Sequence, residues 1–269
     1  MGANDKLKRL RGILKKMDGA LLAFSGGVDS SFLLKVASAV FKDRFLAVSW
    51  VSQAIPKSEL DQARAWAKKF KVRHLLIEGR PPKDFWKNSS RRCYYCKKAL
   101  FGRLKRLAGV EGLSHVLDGS NADDSNDFRP GSGALKELGI RSPLKEAGLT
   151  KAEIRQLSRK MGLKIWQKPA IACLASRIPY GEKITAQKLS LINKAEEFIR
   201  SLGFDQVRVR LQKQLARIEV DPERIVLAVK KRKIISARLR SMGFACVSID
   251  LDGYRRGSLN EVLAWTKKR

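Results

Sequence analysis

One stretch leaves the chain few folds to choose from: Ala20-Leu21-Leu22-Ala23-Phe24-Ser25-Gly26-Gly27-Val28-Asp29-Ser30-Ser31. The five apolar residues at its start, with no polar position among them, read as a strand buried on both faces, as in a parallel sheet. Ser25, Gly26 and Gly27 break the run, and from Ser30 on Phe32, Leu33, Val36 and Ala37 return at helical spacing. Strand, glycine turn, helix is the outline of an anion cradle. Glycines without a Cβ let the backbone approach a ligand, and the first N–H groups of the helix are unpaired and partly positive. The turn lacks the Gly-Lys-Ser/Thr of a Walker A loop and the G-x-G-x-x-G of a dinucleotide fold. The bland alternative is an ordinary strand–turn–helix with a polar cap.

The flanking sequence repeats the alternation. Leu7, Leu10, Ile13, Leu14 and Met17 share one face of a helix over residues 5–18. Strands are expected at 45–51, 72–77 and 115–119, with a helix over 57–70 that turns Leu60, Ala63, Ala67 and Phe70 inward. Such alternation predicts an α/β fold with a doubly wound parallel sheet and a ligand at the carboxyl ends of its strands. A polar loop follows at 120–130, carrying Asp123, Asp124, Asp127 and Arg129. Thr150 with Glu153 then forms a capping box ahead of Ile154, Leu157 and Met161, with Gly162 as the stop. The prolines and glycine of 168–181 mark a hinge, so the first domain is set at 1–180 and a smaller α/β domain at 181–269. The second domain holds a repeat: Arg200-Ser201-Leu202-Gly203-Phe204 recurs as Arg240-Ser241-Met242-Gly243-Phe244, each a helix end, a glycine stop and the entry to a strand. A strand is expected at 216–220 and a helix at 225–239.

Charge and cysteines bound the function. No apolar run approaches the ~20 residues of a membrane span, and the charged N-terminus lacks a signal h-region, so the chain reads as cytoplasmic. With 56 Lys and Arg against 26 Asp and Glu, the net charge of +30 attracts polyanions, nucleic acid included, although no recognition module accompanies it. The four cysteines do not form a secreted disulfide framework. Cys93-x-x-Cys96 lies on an expected helix, where a spacing of three shares one face. With Cys173 it admits an iron–sulfur cluster, zinc with a fourth ligand from Cys246, His74 or His115, or plain thiols; Cys246 is expected in the core.

S-G-G-V-D-S resembles the pyrophosphate loop of the PP-loop ATP pyrophosphatases, which implies that Ser25, Gly26, Gly27, Asp29 and Ser30 bind ATP with Mg²⁺. With the loop at Asp118–Gly131, A-S-R-I-P-Y-G at Ala175–Gly181, Arg200–Arg210 and A-R-I-E at Ala216–Glu219, most of the chain resembles the LarE-type ATP-dependent sulfur transferases of nickel-pincer cofactor synthesis. The resemblance implies adenylylation of a carboxylate on pyridinium-3,5-biscarboxylate mononucleotide, followed by displacement of AMP by sulfur. One version of the family sacrifices a cysteine in the loop matching Ala170–Ser176. The other holds a [4Fe-4S] cluster on three cysteines, whose free iron carries sulfide. Here the sacrificial position falls on Ala172, and Cys93, Cys96 and Cys173 match the cluster version, as catalytic and metal-binding residues. Arg208 and Arg210 alternate on an expected strand and share a face. The resemblance gives them, with Arg177, the substrate's phosphate; the alternative is a solvated basic strand face. A small nucleotide substrate, a sulfide donor and a homo-oligomer are the expected partners, with a tRNA thiolase or an ammonia-using ligase as the alternative activities.

Overall fold

The computed structural model describes residues 1–125, 130–169, 172–255 and 257–259; Asp127, Arg129, Ala170 and Ile171 therefore lie outside the described residues. The chain divides into two units, Met1–Phe85 with Ser90–Ile171, and Trp86–Ser89 with the residues from Ala172 on.

The first unit contains α1 (Ala3–Lys15), β1 (Ala20–Ala23), α2 (Val28–Phe41), β2 (Phe45–Val51), α3 (Lys57–Lys69) and β3 (Arg73–Glu78). A single turn, α4 (Lys83–Trp86), carries the chain out of it. Then come α5 (Arg92–Val110), β4 (His115–Leu117), α6 (Gly131–Glu137), α7 (Pro143–Glu146) and α8 (Lys151–Lys160). The four strands are parallel in the order β3-β2-β1-β4. Central β1 explains its own sequence. Ala20 and Leu22 pack with Leu10 and Leu14 of α1, Phe32 and Leu33 of α2 and Ile154 and Leu157 of α8. Leu21 packs on the opposite face with Phe101, Leu104 and Ala108 of α5. Helices thus cover both faces, and no β1 position is left for a polar side chain. β4 stops at Leu117, short of the expected 119, because the Asp118 carboxylate accepts from Ser120 N and Oγ and from Ser142 Oγ, which bends the chain out of the ladder.

The second unit contains α9 (Ala186–Ser201), β5 (Val207–Gln212), β6 (Leu215–Val220), α10 (Ile225–Lys230), α11 (Arg232–Ser241) and β7 (Cys246–Ile249). Its sheet has the order β5-β6-β7, with β5 antiparallel and β7 parallel to β6. The repeat is structural. Gly203 (φ 95°) and Gly243 (φ 112°) each donate their N–H to the carbonyl three residues back, at 2.9 Å. Phe204 and Phe244 are both buried, and the two strands that follow flank β6 on either side. The helix expected over 225–239 is two helices, broken at Lys231. Cys246 is exposed rather than in the core. It is the first residue of an edge strand, where half of the pleat faces water, and apolar neighbours do not reveal which half.

Candidate active site

The loop between β1 and α2 has the geometry its sequence promises. Gly26 adopts φ 69°, and a Cβ placed there would sit 3.2 Å from the Glu59 carbonyl and from Ala63 Cβ of α3. A side chain there would be strained in conformation and tight in space, so glycine is the residue that suits it. The first bond of the α2 ladder runs from Ser31 N–H to Gly27 C=O at 2.9 Å, so the N–H groups of Val28, Asp29 and Ser30 precede it. Ser25 Oγ and Ser30 Oγ lie 3.0 Å apart across the loop mouth, and Ser30 Oγ also donates to Gly27 C=O. Gly119, just past β4, lies against the loop: a Cβ on it would be 3.2 Å from Ser30 Cα and N.

Charged groups gather around this cradle. Asp29 Oδ2 accepts from Lys151 Nζ at 2.7 Å and from Asn121 Nδ2 at 3.3 Å, while Asp29 Oδ1 is buried with no hydrogen-bond partner. An orphaned carboxylate oxygen beside a phosphate cradle suits a hard divalent cation. Lys151 is placed by the Thr150 capping box and by its own N–H, which donates to Asp123 Oδ2 at 2.9 Å. Asp124 accepts from Asn121 N–H. Asp124 therefore shapes the polar loop from within, and Asp123 ties it to the start of α8.

Cys93 and Cys96 stand in the first turns of α5, the former exposed and the latter half-buried. The loop glycines explain how α6 packs there: a Cβ on Gly131 would fall 2.7 Å from Lys97 Cδ and 3.4 Å from the Cys93 carbonyl. Lys97 Nζ in turn lies 4.0 Å from Asp118 Oδ2, next to the glycine that touches Ser30. The C-x-x-C turn and the nucleotide loop thus share one end of the sheet. Cys173, in the second unit, is exposed at the start of a 3₁₀ turn (Leu174–Arg177).

The three arginines are buried, which excludes a solvated basic strand face. Arg177, with no exposed surface, pairs in bidentate fashion with Glu196 at 2.7 and 3.0 Å and donates to the carbonyls of Ala172 and Cys173. Arg210 pairs likewise with Glu219 at 2.8 Å and reaches Ser176 C=O and Ser258 Oγ. Arg208 stacks over Tyr254, 5.1 Å from its centroid. Burial, then the neighbouring Arg177, pushes its guanidinium down to about 10. Burial alone would raise the Glu196 carboxyl, but Arg177, Arg208 and Arg200 outweigh it and hold the group below its ordinary value.

Comparison with known proteins decides the family. Residues 4–97 match the family described as NAD synthase. An uncharacterized protein of Synechocystis is 43% identical over 96% of this chain and 98% of its own length. An uncharacterized protein of Methanocaldococcus jannaschii is 31% identical over 93% and 97%. The pyridinium-3,5-bisthiocarboxylic acid mononucleotide synthase of Lactiplantibacillus plantarum is 36% identical over 93% of this chain and 92% of its own length. The chain belongs to the LarE family of PP-loop sulfur transferases. As a LarE-type protein it is an ATP-dependent enzyme.

Within that family the donor chemistry of Cys93, Cys96 and Cys173 fits an iron–sulfur cluster, since all three are soft sulfur donors and two share a helix face. Two belong to the first unit and one to the second, and among the described residues no group of three or more His, Cys, Asp and Glu is gathered as a metal site. Arg177 takes a different part from the one expected of it. Its guanidinium is out of reach of solvent and holds the backbone that carries Cys173. Several site residues escaped the sequence reading. Lys151 and Asn121 on Asp29, and Glu196 and Glu219 on the arginines, carry no local motif, although the first position of a capped helix is one place to look for a ligand.

Proposed function

We propose that this LarE-family enzyme uses ATP to activate a carboxylate of pyridinium-3,5-biscarboxylate mononucleotide and returns it as a thiocarboxylate. One observation carries the reading: the S-G-G-V-D-S cradle and the three matching cysteines occur together in a chain 36% identical to a synthase named for the bisthiocarboxylic acid. The loop from Ser25 to Ser30 receives the ATP phosphates. Asp29 takes Mg²⁺, and Lys151 offsets charge as the substrate carboxylate attacks the α-phosphorus and pyrophosphate leaves. The acid has then exchanged a poor leaving group, oxide, for a good one, AMP, which a sulfur nucleophile displaces to give the thiocarboxylate. Cys93, Cys96 and Cys173 would hold a [4Fe-4S] cluster, which would supply the sulfur nucleophile, with an external sulfide donor to replenish it. Arg208 and Arg210 provide the positive face for the substrate's phosphate, and Arg177 positions Cys173. The enzyme works in the cytoplasm as a homo-oligomer on this small nucleotide.

The test is an anaerobic reaction of the iron- and sulfide-reconstituted protein with MgATP and the biscarboxylate mononucleotide. Pyrophosphate release that depends on the mononucleotide, with a thiocarboxylate seen by mass spectrometry, is expected. Pyrophosphate release that ignores it, or sulfur delivered to tRNA instead, would overturn the assignment of substrate.

A further inference from the structure

The pyrophosphate loop is held from behind by a pair of residues that the proposed reaction does not use. Lys168 Nζ donates to the Gly26 carbonyl at 3.0 Å and to Glu59 Oε2 at 2.8 Å. Both side chains are only 9% exposed. A buried ammonium between a carbonyl and a carboxylate is well satisfied, and removing either partner leaves a costly unpaired group. The consequence for the loop follows from peptide geometry. In a trans peptide the C=O and the next N–H point in opposite directions. Fixing the Gly26 carbonyl on Lys168 therefore aims the Gly27 N–H the other way, and among the described residues that N–H has only a long 3.4 Å bond to Ser25 Oγ. At φ 69° Gly26 has no Cβ to resist a flip of this peptide, so the orientation needs an external anchor. The anchor is itself held: Arg155 donates from one guanidinium nitrogen to the Lys168 carbonyl at 2.8 Å and from the other to the Trp166 carbonyl.

We propose that Lys168, braced by Glu59 and Arg155, is the positioning residue that orients the Gly26–Gly27 peptide, so that its N–H meets the phosphates leaving as pyrophosphate. This depends on ATP use and not on the identity of the acid or the source of sulfur.

The experiment measures binding of the full-length protein, by calorimetry with Mg²⁺, to α,β-methylene-ATP, to inorganic pyrophosphate and to AMP. Lys168→Met should weaken the first two ligands by about tenfold or more, the scale of one charge-assisted hydrogen bond, and leave AMP unchanged. Lys168→Arg, which keeps the donors, should recover most of the loss. Unchanged affinity for pyrophosphate in Lys168→Met would overturn the proposal, and so would a loss shared equally by AMP. If Lys168→Met does not fold, Glu59→Gln gives the same reading, since it removes the brace but keeps a carbonyl acceptor. Failure of thiocarboxylate formation with normal pyrophosphate binding in the wild type would count against the proposed substrate and leave Lys168 untouched.

Discussion

The two units place charge in opposite ways. In the nucleotide unit the central strand β1 is wholly apolar, and the charge around the nucleotide loop sits past the carboxyl ends of the strands, on a loop backbone and on partly exposed side chains such as Lys151 and Asp29 at 26% and 21%. In the second unit the sheet itself carries the charge. Arg208, Arg210 and Glu219 lie on β5 and β6 and are buried, with Arg177 and Glu196 beside them. The difference teaches where each kind of site can change. A cradle made of backbone N–H groups binds through geometry that glycine permits, and altering its side chains costs function more than folding. A buried guanidinium–carboxylate lattice is part of the core, so loss of one member strands its partner in a dry interior.

The contrast is tested hardest by Arg177→Ala. Glu196 would be left buried without its bidentate partner, and the expected cost is about 3–5 kcal/mol by chemical denaturation; a loss near zero would erase the distinction between the units. Asp29→Asn should do the reverse. Its thermal midpoint should stay near that of the wild type while kcat/KM for ATP-dependent pyrophosphate release falls by about 100-fold. Gly26→Ala sits between the two. The φ of 69° and the approach to Glu59 predict a destabilisation of about 1–2 kcal/mol together with weaker ATP binding. The smallest effect is on the acid limb. Glu196 titrates below 4.5 when folded, so as pH falls the unfolded chain takes up its proton first. The stability this pair contributes is full above pH 4.5 and drains as pH falls through the folded value. Glu196→Gln should therefore flatten the acid dependence of the denaturation midpoint, and an unchanged slope would remove Glu196 from the pH response.

How much of this was legible in the sequence follows the range of the interaction. The Ser25–Ser30 cradle, the Thr150–Glu153 capping box and the repeated glycine stops at Gly203 and Gly243 are local, and spacing alone exposes them. The alternation of Arg208 and Arg210 indicated a shared face, but not that the face would be covered, because that depends on Tyr254, Ser258 and Glu219 arriving from elsewhere in the chain. Lys151 meets Asp29 across 122 positions and Lys168 meets Glu59 across 109, and no periodicity encodes such pairs. The exposure of Cys246 is hidden for a related reason: which face of a strand is covered depends on elements distant in the sequence.

The central claim is that Cys93, Cys96 and Cys173 together hold the sulfur-carrying cluster. Its most direct test is iron and acid-labile sulfide analysis, with the visible absorption spectrum, of anaerobically prepared wild type and of each single alanine variant. A brown wild type whose iron, sulfide and colour fall together in all three variants is the predicted result. A colourless wild type under full iron supply, or colour that survives Cys93→Ala, would contradict it.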